Sequence, residues 1–290
     1  MPAGGRPTVR SRRLGATLRR YREAAKLDQE HAAEKIAGSK SKVSRIEAGQ
    51  VTAKPGDVRL MLELYGVTDP VVSEHLEQLA RVSNRRGWWM DHRLPDQFTD
   101  LVTLEGDASY IRTWQPLFIP GLLQTPDYVR TLTRHSSLNV YTAEAEEAFL
   151  KVKEERRRAI SEKGAHFAAV IWEPALTAPM PSAEVHHEQL RYIVEMAQQP
   201  NVTVQVLPVS EWKAAHMASH FVVYSFGPEP APEAVAFDTP TNTVIQEEPE
   251  DVAKHVRIFE ALRSSALAPD QSVEFIRTAM KDIPESEKAE

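Results

Sequence analysis

Between Leu27 and Gly49 the chain reads LDQEHAAEKIAGSKSKVSRIEAG, and this segment constrains the fold most tightly. Asp28 suits a helix start, because a short side-chain oxygen can accept from the free N–H groups of a first turn. Ala32, Ala33 and Ile36 follow at three- and four-residue steps, the spacing of one buried helical face. Gly38-Ser39 then breaks and restarts the chain. A further helix is predicted from Lys40 to Ala48, with Val43 and Ile46 as its own apolar pair. Gly49 stands where a left-handed residue ends a helix. Helices this short gain stability mainly by packing. The small Ala32 and Ala33 allow the two to cross closely, with Gly38 serving the turn. What remains outward on the second helix is Lys40, Ser41, Lys42, Ser44 and Arg45.

The flanks supply more short helices. Leu14, Leu18 and Tyr21 predict one before the segment. After the turn Lys54-Pro55-Gly56, Asp57 can cap another that carries Val58, Met61, Leu62 and Tyr65. A fifth is expected from Pro70 to about Val82. Beyond Arg85 the texture changes, opening on Gly87-Trp88-Trp89. Helices are expected at Asp96–Gly106, after Thr125, at Thr142–Glu162 and at Ala183–Gln198. Extended runs fall at Ser109–Leu117, His166–Trp172, Val202–Leu207, Phe221–Phe226, Ala234–Asp238 and Thr243–Gln246. Two helices, near Pro249–Ser265 and Asp270–Lys281, close the chain. Strands and helices do not alternate regularly, so the expected class is α+β. An all-α five-helix domain (14–84) precedes a larger mixed α+β domain (85–283). A flexible basic arm (1–13) and a polar tail (284–290) flank them.

A pair of helices joined in this way is a helix-turn-helix, whose second helix enters the major groove of DNA. There Lys40, Lys42 or Arg45 can bond the O6 and N7 of guanine, and Ser41 and Ser44 can bond several base edges. Lys42 can also touch phosphate only. Gln29, at the start of the preceding helix, sits where an amide and free backbone N–H groups can hold a phosphate. Charge is distributed accordingly. Net charge is −6 overall, yet residues 1–70 hold 14 Lys and Arg against 8 Asp and Glu. A basic module joined to an acidic body fits a nucleic-acid partner. Arg10, Arg12 and Arg13 of the arm could follow the minor groove, or simply form a disordered leader.

The segment Leu27 to Gly49 resembles the Xre (Cro/C1-type) helix-turn-helix family, with its initial Gln, central Ala and terminal Ile-Glu-x-Gly in register. The resemblance implies phosphate contact at Gln29, contacts to bases or nearby phosphates at Lys40, Ser41, Ser44 and Arg45, and a structural role for Glu47. Gly87-Trp88-Trp89 and LEGDASYIRTWQPLFIPGLLQTPDYVRTL, from Leu104 to Leu132, resemble the companion domain of WhiJ-like actinobacterial regulators. NVTVQVLP at Asn201–Pro208 and FEALRSSALAPDQSVEFI at Phe259–Ile276 add to this. That likeness implies a transcriptional regulator, often with a small partner protein and sometimes antitoxin-like. The chain departs from the pattern at Glu155-Arg156-Arg157-Arg158, where an Arg-Gln pair is usual, and at Ser210–Ser219, which lacks a glycine-rich turn.

In the larger half, Pro120-Gly121-Leu122-Leu123-Gln124-Thr125-Pro126 brackets an apolar pair with two prolines. It reads either as a buried turn or as a rigid loop, with Trp114 nearby, lining a ligand or partner site formed by Trp114, Pro120, Gly121, Leu122 and Leu123. No catalytic constellation stands out. His216 and His220 are four apart but lie before a strand-like run, and His186-His187-Glu188 brings no third ligand at a fixed spacing. Ser219 and Ser225 lack a Gly-x-Ser-x-Gly elbow, and there is no phosphate-cradling glycine loop. The chain has no cysteine, which excludes disulfides and thiolate metal sites. The expectation is a cytoplasmic homodimeric DNA-binding regulator, not an enzyme, without cofactor or metal. Its C-terminal domain would receive a protein or small-molecule signal. The alternatives are an antitoxin-like interaction protein that autoregulates and, further off, an enzyme recruited to DNA.

Overall fold

A computed structural model describes residues 7–83, 96–135, 142–178, 180, 182–216, 218–227, 232–238 and 243–283. Gly87-Trp88-Trp89, the first six residues of the expected arm and the expected tail 284–290 lie outside them. The chain divides into two compact units, Met1–Leu104 and Glu105–Glu290. This division falls inside a helix, Asp96–Asp107, later than the change of texture at 84–85.

The first unit opens with five short helices: α1 (Val9–Ala24), α2 (Gln29–Lys35), α3 (Lys40–Glu47), α4 (Pro55–Leu64) and α5 (Pro70–Val82). Their shared core is Leu14, Leu18, Ala32, Ala33, Ile36, Val43, Ile46, Val58, Met61 and Leu62. Two boundaries differ from the sequence expectation. Helix α1 begins at Val9, where Thr8 accepts from the backbone of Ser11. Arg10, Arg12 and Arg13 are therefore not an arm but the first turns of a helix. Arg13 is buried, Arg12 donates to the Pro7 carbonyl at 3.0 Å and Arg10 to the Val82 carbonyl at 3.4 Å. Helix α4 starts at Pro55, with Lys54 as its cap. Proline is favoured in a first turn because the missing N–H had no partner there anyway. Asp57 is thus inside the helix instead of capping it.

The second unit contains the end of α6 (Asp96–Asp107), then β1 (Tyr110–Gln115), a 3-10 turn at Gly121–Leu123, α7 (Pro126–His135) and α8 (Ala143–Ser161). There follow β2 (His166–Trp172), α9 (Glu173–Thr177), α10 (Ala183–Met196), β3 (Val202–Leu207) and α11 (Trp212–Ala215). Last come β4 (Phe221–Ser225), β5 (Pro232–Asp238), β6 (Thr243–Gln246), α12 (Pro249–Ser265) and α13 (Pro269–Lys281). The described strands form one sheet in the order β3-β2-β1-β4-β5-β6. β1, β2 and β3 run parallel, and β4, β5 and β6 pair antiparallel. The class is α+β: helices first, then a mixed sheet. Parallel neighbours need long crossovers, which α7, α8 and α10 provide.

One sheet face carries Trp114, Phe221, Val223 and Val235, which pack with Val252, Phe259 and Leu262 of α12. The register places the alternate residues, Thr113, Tyr224, Ala236 and Asp238, on the opposite face. Helix α13 shields the β3 edge. Ser272 accepts from the Val206 N–H at 2.9 Å, and Leu267 N–H donates to the Val206 carbonyl. This satisfies an edge that would otherwise offer unpaired backbone groups.

Candidate nucleic-acid interface

Helices α2 and α3 are each started by the residue the sequence offers. Asp28 Oδ1 accepts from the N–H groups of Glu30 and His31, and Ser39 Oγ from that of Lys42. The turn between them differs in one respect. The left-handed residue is Ala37, φ +48°, not Gly38. A Cβ on Gly38 would meet Ile36 and the Lys42 stem at 3.2–3.4 Å, so this glycine serves close packing. Gly49, φ +70°, ends α3 as expected.

What aims α3 is its crossing with α1. A Cβ on Gly15 would lie 2.3 Å from the Ile46 carbonyl, and one on Gly49 2.7 Å from the Arg12 Cα. Both glycines let the two backbones touch. Beside them lies a buried clamp. Arg22 of α1 donates to both oxygens of Glu47, at 2.7 and 2.9 Å, and to the Leu27 carbonyl at 2.8 Å. The Glu47 hydrogen bonds hold the Arg22 guanidinium above its ordinary range. Tyr65, close by, is pushed up to about 12 by burial. Glu47 is therefore the hub joining α1, α2 and α3.

With Val43, Ile46 and Glu47 buried, the other face of α3 is open. Lys40, Ser41, Ser44 and Arg45 are exposed on it. Arg45 Nε reaches back to the Ser41 carbonyl at 3.4 Å, and Lys40 lies 3.6 Å from Glu30. Both are exposed attachments of little energetic weight, which a ligand can displace. Lys42 is separate from this set: it is half-buried and pairs with Asp57 of α4 at 2.7 Å. Gln29 is half-buried at the start of α2, its amide donating to Glu47 at 2.9 Å. The α2 N-terminus lies between exposed residues, Asp28 and Glu30.

The site considered in the second unit is not brought together. Trp114 is fully buried and donates to the Ala218 carbonyl at 3.0 Å within the α12-side core. Leu122 and Leu123 are also buried but lie outside that cluster. Pro120 is buried and Gly121 half-buried. Two glutamines fix the loop. Gln189 accepts from the Thr125 N–H and donates to the Leu123 carbonyl, both at 2.7 Å, and Gln124 donates to the Ile119 carbonyl at 2.8 Å. This is a buried, strapped turn.

The histidines are engaged separately. His186 bonds the Leu176 carbonyl, His216 the Trp212 carbonyl, and His220 accepts from the Asp238 N–H. Among the described residues no three His, Asp or Glu side chains gather in a metal-holding group, and no helix is long and apolar enough to cross a membrane.

A family model for a helix-turn-helix domain matches residues 13–76. A second, described as a domain of unknown function (DUF5753), matches residues 98–278, more than half of the chain. No curated protein and no solved structure matches. The exposed face of α3 thus belongs to a helix-turn-helix domain, and the chain as a whole belongs to the DUF5753 family.

Proposed function

We propose that this protein is a sequence-specific, DNA-binding transcriptional regulator of the Xre type, with a second unit like that of WhiJ-like actinobacterial regulators. The observation that carries this reading is the split of α3. One face is locked to α1 and α2 through Val43, Ile46 and Glu47, and the other presents Lys40, Ser41, Ser44 and Arg45 to solvent. A rigidly held helix with polar and cationic side chains at its outer face is what major-groove readout requires. In this reading Lys40 and Arg45 meet guanine edges or phosphates, the serines bond adjacent bases, and Gln29 with the α2 N-terminus holds phosphate. Lys42 stays on Asp57. The protein acts as a dimer, needs no cofactor, and its second unit receives a signal without catalysis.

Genome-wide crosslinking of the wild type beside a Lys40→Ala/Arg45→Ala variant tests this. Sharp peaks sharing a paired motif are expected in the wild type and lost in the variant. A folded, expressed wild type without peaks would sink the proposal.

A second reading, in which the second unit docks a small partner protein in antitoxin fashion, has its own support. Leu117 and Phe118 after β1, and Val209 and Trp212 after β3, are 45–67 % exposed. Parallel β1 and β3 end at the same side of the sheet, so this side carries exposed apolar groups of the kind partner surfaces use. Stoichiometric co-purification with a small protein, lost on Phe118→Ser/Trp212→Ser, would favour it.

A further inference from the structure

The two edges of the sheet differ. α13 covers β3, where Ser272 and Leu267 engage the Val206 backbone. At the other edge β6 is bonded by β5 alone among the described strands. Which of its peptide groups face outward follows from the strands beside it. In an antiparallel pair the N–H and C=O of one residue point to the same side, and successive residues alternate. Ser225 of β4 turns its carbonyl toward β1 and accepts from Ser109, while the Asp238 N–H of β5 turns toward β4 and donates to His220. Ala236 and Asp238 therefore face β4, and Val235 and Phe237 face β6. Gln246 and Val244, opposite these last two, use their backbone groups on β5. Thr243 and Ile245 direct theirs away from the sheet, and among the described residues these outward groups take no hydrogen bond.

β6 reads Thr-Val-Ile-Gln, three β-branched residues without a charge or a proline. Lysine or proline on an open edge keeps other strands away, and β6 has neither. Val244, on the α12 side with Phe237, is 40 % exposed. We propose that β6 pairs with β6 of a second copy, antiparallel about a two-fold axis at Val244. The strand is complementary to itself in this register. Thr243 faces Ile245 of the second copy, Ile245 faces its Thr243, and each pairing exchanges two backbone hydrogen bonds. Val244 meets the second copy's Val244 at a Cα separation of about 4.5 Å, so the two exposed side chains cover each other. No like charges stand opposite one another in the strand pair, which would oppose pairing. A four-residue edge cannot supply the about 800 Å² per partner of a standard interface. The pairing is therefore weak in the free chain and gains strength where paired half-sites hold two copies together. This deepens the dimer of the proposed function by naming where the copies meet, and rests on that reading only for the effect on DNA.

The chain has no cysteine, so single introduced cysteines report the pairing directly. The test uses the full chain without DNA under mild oxidation, so its failure leaves the genome-wide result to be judged alone. Val244→Cys should form a disulfide-linked dimer at least about tenfold faster than Lys151→Cys, an exposed site on α8, because paired thiols meet at an effective concentration on the order of millimolar. In Gln246→Cys the same register holds the two Cα atoms about 14 Å apart, beyond the about 7 Å that a disulfide spans. It should stay at the Lys151→Cys rate. Ile245→Pro, added to Val244→Cys, removes an outward N–H and no bond to β5, a place where an edge strand tolerates proline. It should abolish trapping while the circular dichroism spectrum is kept. Val244→Cys no faster than Lys151→Cys, Gln246→Cys as fast as Val244→Cys, or trapping that survives Ile245→Pro would overturn the proposal.

Discussion

Two buried arginines show what periodicity can and cannot reveal. Arg22 continues the stripe Leu14, Leu18 at a four-residue step, and Arg156 falls between Val152 and Ile160 in the same way. Each occupies a slot that helical spacing marks as inward. Their partners, Glu47 and Glu105, are 25 and 51 residues away, and nothing local in the sequence pairs them. Removing one member of such a pair leaves a buried charge alone, so Glu47→Ala should cost about 3–5 kcal/mol in urea unfolding. A loss below about 1 kcal/mol would place the clamp with exposed ion pairs. Lys153 makes a pH prediction. Burial, then Arg156, hold it at about 7 in the folded chain, against the weaker pull of Glu105 and Asp238. An unfolded lysine titrates at about 10.4, so between these values the unfolded state binds more protons. Stability should therefore rise from about pH 7 toward the ordinary lysine range, apart from other groups, and this component should be flat below 7. Lys153→Met should remove that rise, as differential denaturation of the two proteins across this range would show.

At the level of elements, most helices and strands were legible because their apolar spacing and their starting residues agree. The bounds His166–Trp172, Val202–Leu207, Thr243–Gln246 and Pro249–Ser265 coincide with the sequence reading. Short α9 and α11 escaped it, being too brief to develop a periodic face. The α1–α3 crossing escaped for another reason. Gly15 sits inside an ordinary helical pattern, and only the approach of a distant carbonyl gives it meaning. Gly15→Ala puts a methyl 2.3 Å from the Ile46 carbonyl, which forces α1 and α3 apart. Overpacking of this kind costs about 1–3 kcal/mol, and α3 should lose its aim, so melting temperature and operator affinity should fall together. Ala37→Gly acts in the opposite direction. A left-handed alanine costs about 1–2 kcal/mol, part of which glycine recovers, so a higher melting temperature with unchanged DNA affinity is expected.

For the molecule as a whole, the sequence revealed the contrast between a basic N-terminal stretch and an acidic remainder, and the expectation drawn from it is a homodimer. The size of the reading surface bears on that expectation. The exposed face of α3 offers four side chains, Lys40, Ser41, Ser44 and Arg45. One good bidentate base contact discriminates by about 1–3 kcal/mol, whereas specific sites are typically about 4–10 kcal/mol tighter than non-specific DNA. In the proposed reading two copies, each on one of two paired half-sites, share this discrimination between them. Half-sites must then lie about 34 Å apart, on one side of the duplex. Inserting about five base pairs between them, half a DNA turn, rotates one half-site to the far side. Affinity in gel-shift titration should fall to that of an isolated half-site, while full-turn insertion restores part of it. The fall should be smaller at higher salt, because the paired complex makes more phosphate contacts than an isolated half-site and each Lys or Arg on a phosphate adds about −0.9 to the salt slope. Equal affinity at every spacing would show that one copy suffices, and the dimeric reading would fail with it.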